Sequence, residues 1–546
     1  MFLAQSALGA PEIAWSSFAP ELVPTTAALV LLLLGVAGRR RMAVAAPVGL
    51  AVIALGVWLI TTELILPGAV AIVLGVALPA LVVAFPRTPS LVQAWGAGLA
   101  LAGALVLTLW QYTAMLAPVG EGPMLVQSAL QGSIANDGIA LFTRLTVYLT
   151  ALLVVPMGYG YLRQRRIYRA ELEPLLLLAT VGMAALGTAN DLITIFIALE
   201  VFTLSLYILA GWARRDRRSE EAGLKYFVTS AIASAVLLYG MALVYVATGT
   251  VDLPAIGLTI GLVTTPRSVA AIGLALITVG VAFKVSLAPF HLWTPDVYQG
   301  APTNITAFMA AATKAAGFAI ILRLYLVAFP SLEALWVPVL SVLAAITMLY
   351  GAYLAIVQRD LKRILAYSSI THAGYATIGV VANSADGLSA TLWYLLTYAI
   401  GTAAAFGALI ALERRRQGEV TFADLRGLGR EAPDLAAVLA LSMLSLAGIP
   451  ATAGFVGKLM VFRAGIDAGL TWLVVIGVVS SVVAAFFYLR IAGVMFLEEP
   501  TGERGRPQVS MGLSVTVSVS AVLVIYLGVQ PQLFLDLAGN AAALVR

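Results

Sequence analysis

The sequence predicts an all-α protein that crosses a membrane many times. Hydrophobic residues make up 61% of the 546 residues, charged residues only 11%, and the mean hydropathy is +0.98. Apolar runs of about 20 residues, the length that a helix needs to cross a bilayer, recur along the whole chain. These runs are rich in Leu, Ala and Gly and are too long for barrel strands. Helices that satisfy their own backbone hydrogen bonds are therefore expected.

The apolar runs define about sixteen candidate spans, of which 14 to 16 are expected to be transmembrane helices. They lie near residues 22–38, 43–63, 67–86, 93–113, 139–158, 172–190, 192–212, 221–248, 269–289, 301–328, 334–357, 363–383, 388–412, 434–463, 469–497 and 512–535.

The spans fall into five groups along the chain. Residues 1–138 hold about four spans, and 139–171 hold one span that precedes two larger sets. Residues 172–328 and 334–497 hold five spans each, and 498–546 hold a loop and the last helix. Because five is odd, the second set starts on the opposite side of the membrane from the first, as an inverted-topology repeat requires.

The fourth span of each set combines a proline with a lysine deep in an apolar run. Lys284 and Pro289 lie in AFKVSLAPFHLW, and Pro450 and Lys458 lie in LAGIPATAGFVGKL. Proline removes a backbone donor and kinks or breaks a helix. Discontinuous helices at corresponding positions of two halves are typical of an ion or substrate path. The sequence therefore predicts a broken helix in each repeat, beside a path for an ion.

Ionisable side chains inside other spans extend this prediction. A charge at the bilayer centre costs about 2.5–3.5 kcal/mol on insertion scales, so such a residue must face protein or water. The second spans of the two sets also correspond, with Glu200 near the middle of one and His372 near the middle of the other. We interpret the set as a proton relay, consisting of Glu200, Lys225, Lys284, Lys314, Lys458 and His372.

Structural alternatives exist for three of these residues. Glu200 could form an ion pair with a lysine of another helix, and His372 could simply form hydrogen bonds in a packed interface. Lys225 lies in SEEAGLKYF, whose Ser and acidic residues indicate a helix start, so it could also reach the membrane surface or form a structural pair. In the relay interpretation, Glu200 approaches or leaves Lys225, the charge of Lys284 follows, and protons pass through Lys314 to Lys458.

Basic residues predict the orientation. If the N-terminus is outside, alternate loops collect nearly all of them, and the positive-inside rule then places both termini outside. The net charge of +5 thus reflects topology and gives no indication of nucleic-acid binding. The residues on the predicted inner side are Arg39 to Arg41, Arg87, Arg163, Arg165, Arg166, Arg169, Arg214, Arg215, Arg217, Arg218, Arg359, Lys362, Arg363, Arg414 to Arg416, Arg426, Arg430, Arg504 and Arg506, whereas Arg267 and Arg546 lie on the outer side.

Other features exclude or restrict function classes. The chain has no cysteine, which excludes thiolate-held iron–sulfur clusters and cysteine zinc sites. The first residues, MFLAQSALGAPEIAW, contain no basic segment, so no cleavable signal peptide is expected. Four arginines fall near span ends, where an interfacial position is expected. They are Arg144, Arg323, Arg463 and Arg490.

Long segments of the chain resemble the subunit N family of bacterial NADH:quinone oxidoreductase, respiratory complex I. The resemblance is carried by ALEVFTLSLYILAG, SEEAGLKYFVTSAIASAVLLYGMALVY, AFKVSLAPFHLWTPDVYQGAPTNITAFMAAATKAAGFA, LKRILAYSSITHAGY and LSLAGIPATAGFVGKLMVF, and it extends over about residues 139–535. The form HLWTPDVYQGAP is similar to subunit N more than to the other antiporter-like subunits.

The resemblance implies a proton-translocating membrane-arm subunit in a bacterial plasma membrane. It implies a relay glutamate at Glu200, its partner lysine at Lys225, a broken-helix lysine at Lys284, a connecting lysine at Lys314 and an exit-side lysine at Lys458. It also implies about fourteen helices, no cofactor on this chain, and NADH, FMN, iron–sulfur clusters and quinone on partner subunits. Those partners include another antiporter-like subunit and small membrane subunits. The four spans before residue 139 are two more than the family pattern has.

A subunit of an Mrp-like cation/proton antiporter is the alternative function. A metal-cation path favours acidic or hydroxyl ligands, whereas the path predicted here consists mostly of lysine, which suits protons.

Overall fold

The computed structural model describes residues 15–37, 41–61, 64–116, 128–129, 132–262, 266–416, 419–500, 507 and 509–543. This part of the chain consists of α-helices, short helical turns and one two-stranded antiparallel ribbon, formed by β1 (Ser128–Ala129) and β2 (Ile134–Ala135).

The helices before the first break are α1 (Trp15–Ala37), α2 (Arg41–Thr61), α3 (Ile65–Ala84), α4 (Pro89–Leu116), α5 (Gly138–Gln164), α6 (Leu172–Thr188), α7 (Leu192–Ala210), α8 (Arg217–Thr248), α9 (Leu253–Ile260) and α10 (Arg267–Val285). Those that follow are α11 (Trp293–Gly300), α12 (Thr303–Arg323), α13 (Glu333–Val357), α14 (Leu361–Val381), α15 (Ala385–Arg416), α16 (Phe422–Leu425), α17 (Leu428–Glu431), α18 (Pro433–Ala447), α19 (Ala453–Asp467), α20 (Thr471–Leu497), α21 (Met511–Val529) and α22 (Gln532–Ala543).

The predicted all-α membrane fold is confirmed. Within the described residues, 13 helices are long and apolar enough to cross a membrane. The three other predicted spans are also helical: they are α6, α14 and the interrupted pair of α18 and α19. Two helices, α12 and α15, are buried along their whole apolar windows and form the centre of the molecule. Lys314 and Arg323 of α12 and Glu413 of α15 are therefore surrounded by protein.

Both predicted helix breaks are present. Helix α10 ends at Val285, where Ser286 adopts a left-handed conformation with φ 61°, and α11 begins only at Trp293. Helix α18 ends at Ala447, where Gly448 has φ 83°. Because a helix leaves its last carbonyl groups without partners in the helix, each break places free acceptors inside the bundle.

The four N-terminal helices differ in how they join the bundle. Helices α1 and α4 pack on each other and on α5 and α6, whereas α2 and α3 pack mainly on one another. This hairpin is held by glycines: a Cβ on Gly49 would lie 2.6 Å from the carbonyl oxygen of Gly75, and one on Gly56 would lie 2.7 Å from that of Gly68. The α2 and α3 hairpin is therefore a closely packed unit attached to the side of the bundle.

Many of the described basic residues of the predicted inner side lie together at one side of the bundle, which we call the basic face. It is formed by the ends of α5, α7, α13 and α15 and by the starts of α6, α8 and α14. Contacts join these ends: Arg218 pairs with Glu419, Arg363 with Asp296, and Asp360 forms a backbone bridge with Thr421. The termini and the side chains of Arg39, Arg40, Arg414 to Arg416, Arg504, Arg506 and Arg546 lie outside the described residues.

The interfacial prediction was wrong for two of the four arginines near span ends. Arg144 is fully buried and pairs with Glu21 of α1 at 2.5 Å, and it also donates to Gln111 and Asn136. Arg323 is buried as well. It pairs with Asp137 at 2.8 Å and donates to the carbonyl oxygen of Gly187. Partners distant in sequence provide the acceptors that a buried guanidinium requires.

The other two arginines lie at the protein surface. The side chain of Arg463 is 82% exposed and lies 3.7 Å from Asp467. The guanidinium of Arg490 lies 4.3 Å from the ring centre of Phe422.

Candidate proton-transfer site

Lys284 lies in the last turn of α10, directly before the first break. Its ammonium donates to the hydroxyl of Ser230 on α8 at 2.6 Å and to that of Thr203 on α7 at 3.3 Å. The residue is buried, and its partners among the described residues are neutral hydroxyl groups. A lysine held in this way can exchange a proton with hydroxyl groups on two neighbouring helices.

Glu200, one turn from Thr203 on α7, lies near this lysine without pairing with it. One of its carboxylate oxygens is buried and has no hydrogen-bond partner, and no ion pair joins Glu200 to a described cation. The carboxylate nevertheless interacts electrostatically with Lys284. The alternative of a structural ion pair for Glu200 finds no support in this arrangement.

Lys225 has partners other than the expected Glu200. Its ammonium pairs with Glu221 at 2.6 Å and with Asp296 of α11 at 2.8 Å, and its side chain is 43% exposed. Asp296 also binds Arg363 at 2.8 Å. In this structure Lys225 therefore belongs to an ion-pair network at the basic face, close to the first break.

Lys314 and Lys458 have equivalent environments although they lie on different helices. Lys314, on α12, donates to the carbonyl oxygen of Val285, the last residue of α10. Lys458, on α19, donates to the carbonyl oxygen of Ala447, the last residue of α18, at 2.7 Å, and to Ser481 at 2.9 Å. Each break is thus occupied by a lysine at a helix C-terminus, where the helix dipole favours a cation.

His372 lies between these two lysines, near the middle of α14. Its Nδ1 is 2.6 Å from the hydroxyl of Tyr394, and its Nε2 is 3.1 Å from that of Tyr488. Both Lys314 and Lys458 act on it electrostatically. The structure therefore brings the buried Lys284, Lys314, His372 and Lys458 together with the half-buried Glu200, a set that we call the buried row. Lys225 lies nearer the basic face.

The prolines lie within the two breaks, as predicted. Pro289 belongs to the turn between α10 and α11, where the peptide bond from Ala288 is cis, and Pro450 belongs to the turn between α18 and α19. His291, in the first of these turns, is buried and has an Nδ1 without a hydrogen-bond partner. It interacts electrostatically with Lys314.

Comparison with known proteins identifies the family. The family description NADH:quinone oxidoreductase/Mrp antiporter, TM matches residues 189–484, which include the whole row. The NADH-quinone oxidoreductase subunit N of Trichlorobacter lovleyi is 38% identical over 492 residues, which cover 89% of this chain and 98% of that protein. The chain belongs to the subunit N family.

Two solved structures agree with this membership. A chain of respiratory complex I from Thermus thermophilus, solved with bound aureothin, is 36% identical, with a TM-score of 0.68, over 86% of this chain and 99% of that one. A chain of the Mrp complex from Dietzia sp. has a TM-score of 0.74 over 97% of both chains, but at 24% identity it shows the fold alone.

Four further charged residues of this subunit N family member were not predicted from the sequence as candidate site residues. Asp296 and Arg363 bind each other beside Lys225, as described above. Lys362, read from the sequence as a loop residue, is buried and donates to the carbonyl of Ala301 at 2.7 Å. Glu413 directly precedes three arginines, which indicate a solvated segment, yet it is only 7% exposed.

Proposed function

We propose that this chain translocates protons across the membrane as a membrane-arm subunit of NADH-quinone oxidoreductase. Membership of the subunit N family supports proton translocation, and the buried row supports the route that the proton takes through this chain. The relay consists of Glu200, Lys284, Lys314, His372 and Lys458, with Lys225 at its basic-face end.

The equivalent positions of Lys314 and Lys458 are the observation that carries this proposal. Each ammonium is bound to the last carbonyl of a broken helix, deep in the bundle. Unlike arginine, which stays charged in proteins, lysine can release and regain a proton. The partial negative charge at a helix C-terminus stabilises the charged form of each lysine.

The order of the groups suggests how a proton crosses the bundle. Asp296 and Lys225 lie at the basic face, and the buried hydroxyls of Ser230 and Thr203 surround Lys284. Electrostatic coupling of Glu200 to Lys284 lets a change at the carboxylate alter the charge of the lysine. From there the proton passes to Lys314.

The second half of the route uses a different chemistry. His372 lies within the influence of both Lys314 and Lys458 and is held by two tyrosine hydroxyls. An imidazole can accept a proton at one nitrogen and release one from the other. It therefore connects the first break to the second, where Lys458 releases the proton.

Several features of the assembled enzyme belong to the same proposal. NADH, FMN, iron–sulfur clusters and quinone bind to partner subunits, which include another antiporter-like subunit and small membrane subunits. The basic face lies in the cytoplasm of a bacterial cell, and both termini lie outside. Electron transfer in the partners supplies the free energy, and this chain contributes the path.

Lysine substitutions in the assembled enzyme test the relay. In membrane vesicles, K284M and K458M are each expected to lower the number of protons pumped per NADH oxidised. R463M is the matched control, because Arg463 is an exposed cation five residues from Lys458 on the same helix. Proton pumping that is unchanged in both K284M and K458M, while NADH oxidation continues, would contradict the relay.

A further inference from the structure

Glu413 lies in a buried cluster that the relay above does not use. Its carboxylate, in the last turns of α15, accepts hydrogen bonds from Thr303 at 2.7 Å and from Tyr161 at 3.0 Å. Arg165 donates to the hydroxyl of Tyr161 at 2.6 Å and does not contact the carboxylate. No described cation lies within ion-pair distance of Glu413, so its direct partners among the described side chains are neutral hydroxyl groups.

A buried carboxylate without an ion partner is unusual. A carboxylate removed from water is expensive unless it is paired, and it is otherwise stabilised by hydrogen bonds or by taking up a proton. Hydroxyl groups can donate to the carboxylate, and they can also accept from the protonated acid. The immediate surroundings of Glu413 therefore suit both protonation states.

Lys362 binds the same segment as Glu413, namely the turn from α11 to α12 formed by Ala301, Pro302 and Thr303, which we call the corner. Lys362 donates to the carbonyl oxygen of Ala301, and Glu413 accepts from the hydroxyl of Thr303. The charges of Lys362 and Glu413 interact without direct contact. This corner lies at the basic face, where solvent reaches the neighbouring Arg165 and Arg363.

A line of polar groups leads from this corner to the centre of the second repeat. On α14, Lys362, Ser369 and His372 are seven and three residues apart, which places them on one face of the helix. At 1.5 Å per residue, Lys362 to Ser369 spans about 10 Å and Ser369 to His372 about 4.5 Å. The hydroxyls of Ser369 and of Tyr298, on α11, are both buried without hydrogen-bond partners.

Along α14, Ser369 lies between Lys362 at the corner and His372. Ser369 is close to Tyr298 and to Tyr398 of α15, although no hydrogen bond of normal geometry forms. Buried polar atoms without partners are unusual in proteins and are commonly satisfied by water. A water molecule at these hydroxyls would connect Ser369 with Tyr298, one helical turn from His372 on α14.

We infer that Glu413, with Lys362, is a second proton-loading site at the basic face, which supplies His372 through Tyr298 and Ser369. A proton from the basic face binds a carboxylate oxygen of Glu413. It then passes along the hydroxyl groups to the imidazole of His372, and Glu413 returns to its ionised form. This inference rests on the proposed function, because His372 must belong to the relay.

Proton pumping by vesicles that contain the complete enzyme tests the loading site. E413Q is expected to lower the initial rate of NADH-driven proton pumping at least twofold, and S369A is expected to lower it in the same direction. The matched control is E173Q: Glu173 is a buried carboxylate at the basic face that accepts a hydrogen bond from Tyr168 at 2.8 Å, away from this line. Equal rates for E413Q and E173Q would overturn the inference.

Two further comparisons separate a loading site from other causes. If Glu413 and Lys362 only balance each other's charge, the double variant E413Q/K362M recovers the wild-type rate, which would also overturn the inference. A loading site predicts no recovery, with normal amounts of assembled enzyme. If K284M and K458M both leave pumping intact, the proposed function itself fails, whereas a loss in these variants without a loss in E413Q contradicts only the second site.

Discussion

The position of Lys458 at the second break can be disturbed without changing any ionisable residue. Gly448 follows the last residue of α18 and has φ 83°. A Cβ at this position would lie 2.7 Å from Cδ of Lys458 and 3.3 Å from its Nζ. Because carbon atoms prefer separations of about 3.5–4.0 Å, G448A must displace the lysine side chain by about 0.8 Å or more.

This displacement is large enough to break the contact with the helix end. Nζ of Lys458 lies 2.7 Å from the carbonyl oxygen of Ala447. An added 0.8 Å takes the separation to about 3.5 Å, beyond the usual limit of about 3.2 Å for such a hydrogen bond. Hydrogen bonds to charged groups contribute about 1.5–3 kcal/mol. Since about 1.4 kcal/mol is a factor of ten, the population of correctly placed Lys458 should fall by about 10- to 150-fold.

Backbone strain is a second effect of G448A, and it can be measured separately. A left-handed conformation costs a residue with a Cβ about 1–2 kcal/mol. Gly469, just after α19, has φ 76°, and a Cβ added to it would have no neighbouring atom within 4 Å. G469A therefore carries similar strain without the contact to Lys458.

The assay is the ratio of protons pumped to NADH oxidised, measured in vesicles that contain the assembled enzyme. We expect G448A to lower this ratio towards that of K458M, and G469A to leave it near the wild-type value. If the two alanine variants give the same ratio, the contact between Lys458 and Ala447 is not required for pumping.

Three further predictions concern other parts of the molecule. R144A should lower the free energy of unfolding by about 3–5 kcal/mol, because it leaves Glu21 buried without its partner. The control R218A, which removes an exposed ion pair, should change the free energy of unfolding by no more than about 1 kcal/mol, and thermal unfolding measures both variants. Y394F should reduce proton pumping while Tyr488 still holds Nε2 of His372, because a buried donor or acceptor left unpaired costs about 1–3 kcal/mol; unchanged pumping would contradict the role of this hydrogen bond. G56V should destabilise the α2 and α3 hairpin by about 1–3 kcal/mol through overpacking, and proteolysis of that hairpin should increase without a change in the pumping ratio.

The helices could be predicted from the sequence because hydropathy acts locally. Each apolar run specifies one span, and Pro289 and Pro450 indicate where two spans break. The side chains that meet across helices could not be predicted in the same way. Arg144 finds Glu21 at a separation of 123 residues, and Tyr161 finds Glu413 at 252.

For two residues, the neighbouring sequence indicates a solvated side chain, whereas the structure buries it. Glu413 is followed by three arginines, and Lys362 lies between Leu361 and Arg363 at the start of a helix, so both have the surroundings of solvated residues. Their burial depends on the turn from α11 to α12, which supplies Thr303 and Ala301 as partners. The partner of Lys225 was missed for a similar reason, since Asp296 lies 71 residues away, beyond the first break.

Lysine and arginine have different roles in the proposed mechanism. All five lysines of the chain lie in the two repeats, and the arginines carry nearly all of the other positive charge. Because arginine keeps its proton, it suits fixed ion pairs such as those of Arg144 and Arg323. Lysine can lose its proton, which suits Lys284, Lys314 and Lys458 for the proposed relay.

The two breaks differ in a way that would give the proposed route a direction. In the first repeat the free carbonyl at the break is bound by Lys314 from the next helix, so Lys284 remains available to Ser230 and Thr203. In the second repeat Lys458 of the same broken span binds the carbonyl itself. In the proposed relay, the first break therefore has two lysines, one to accept a proton and one to pass it on. The second has a single lysine, which in the same relay must release its proton before the next arrives.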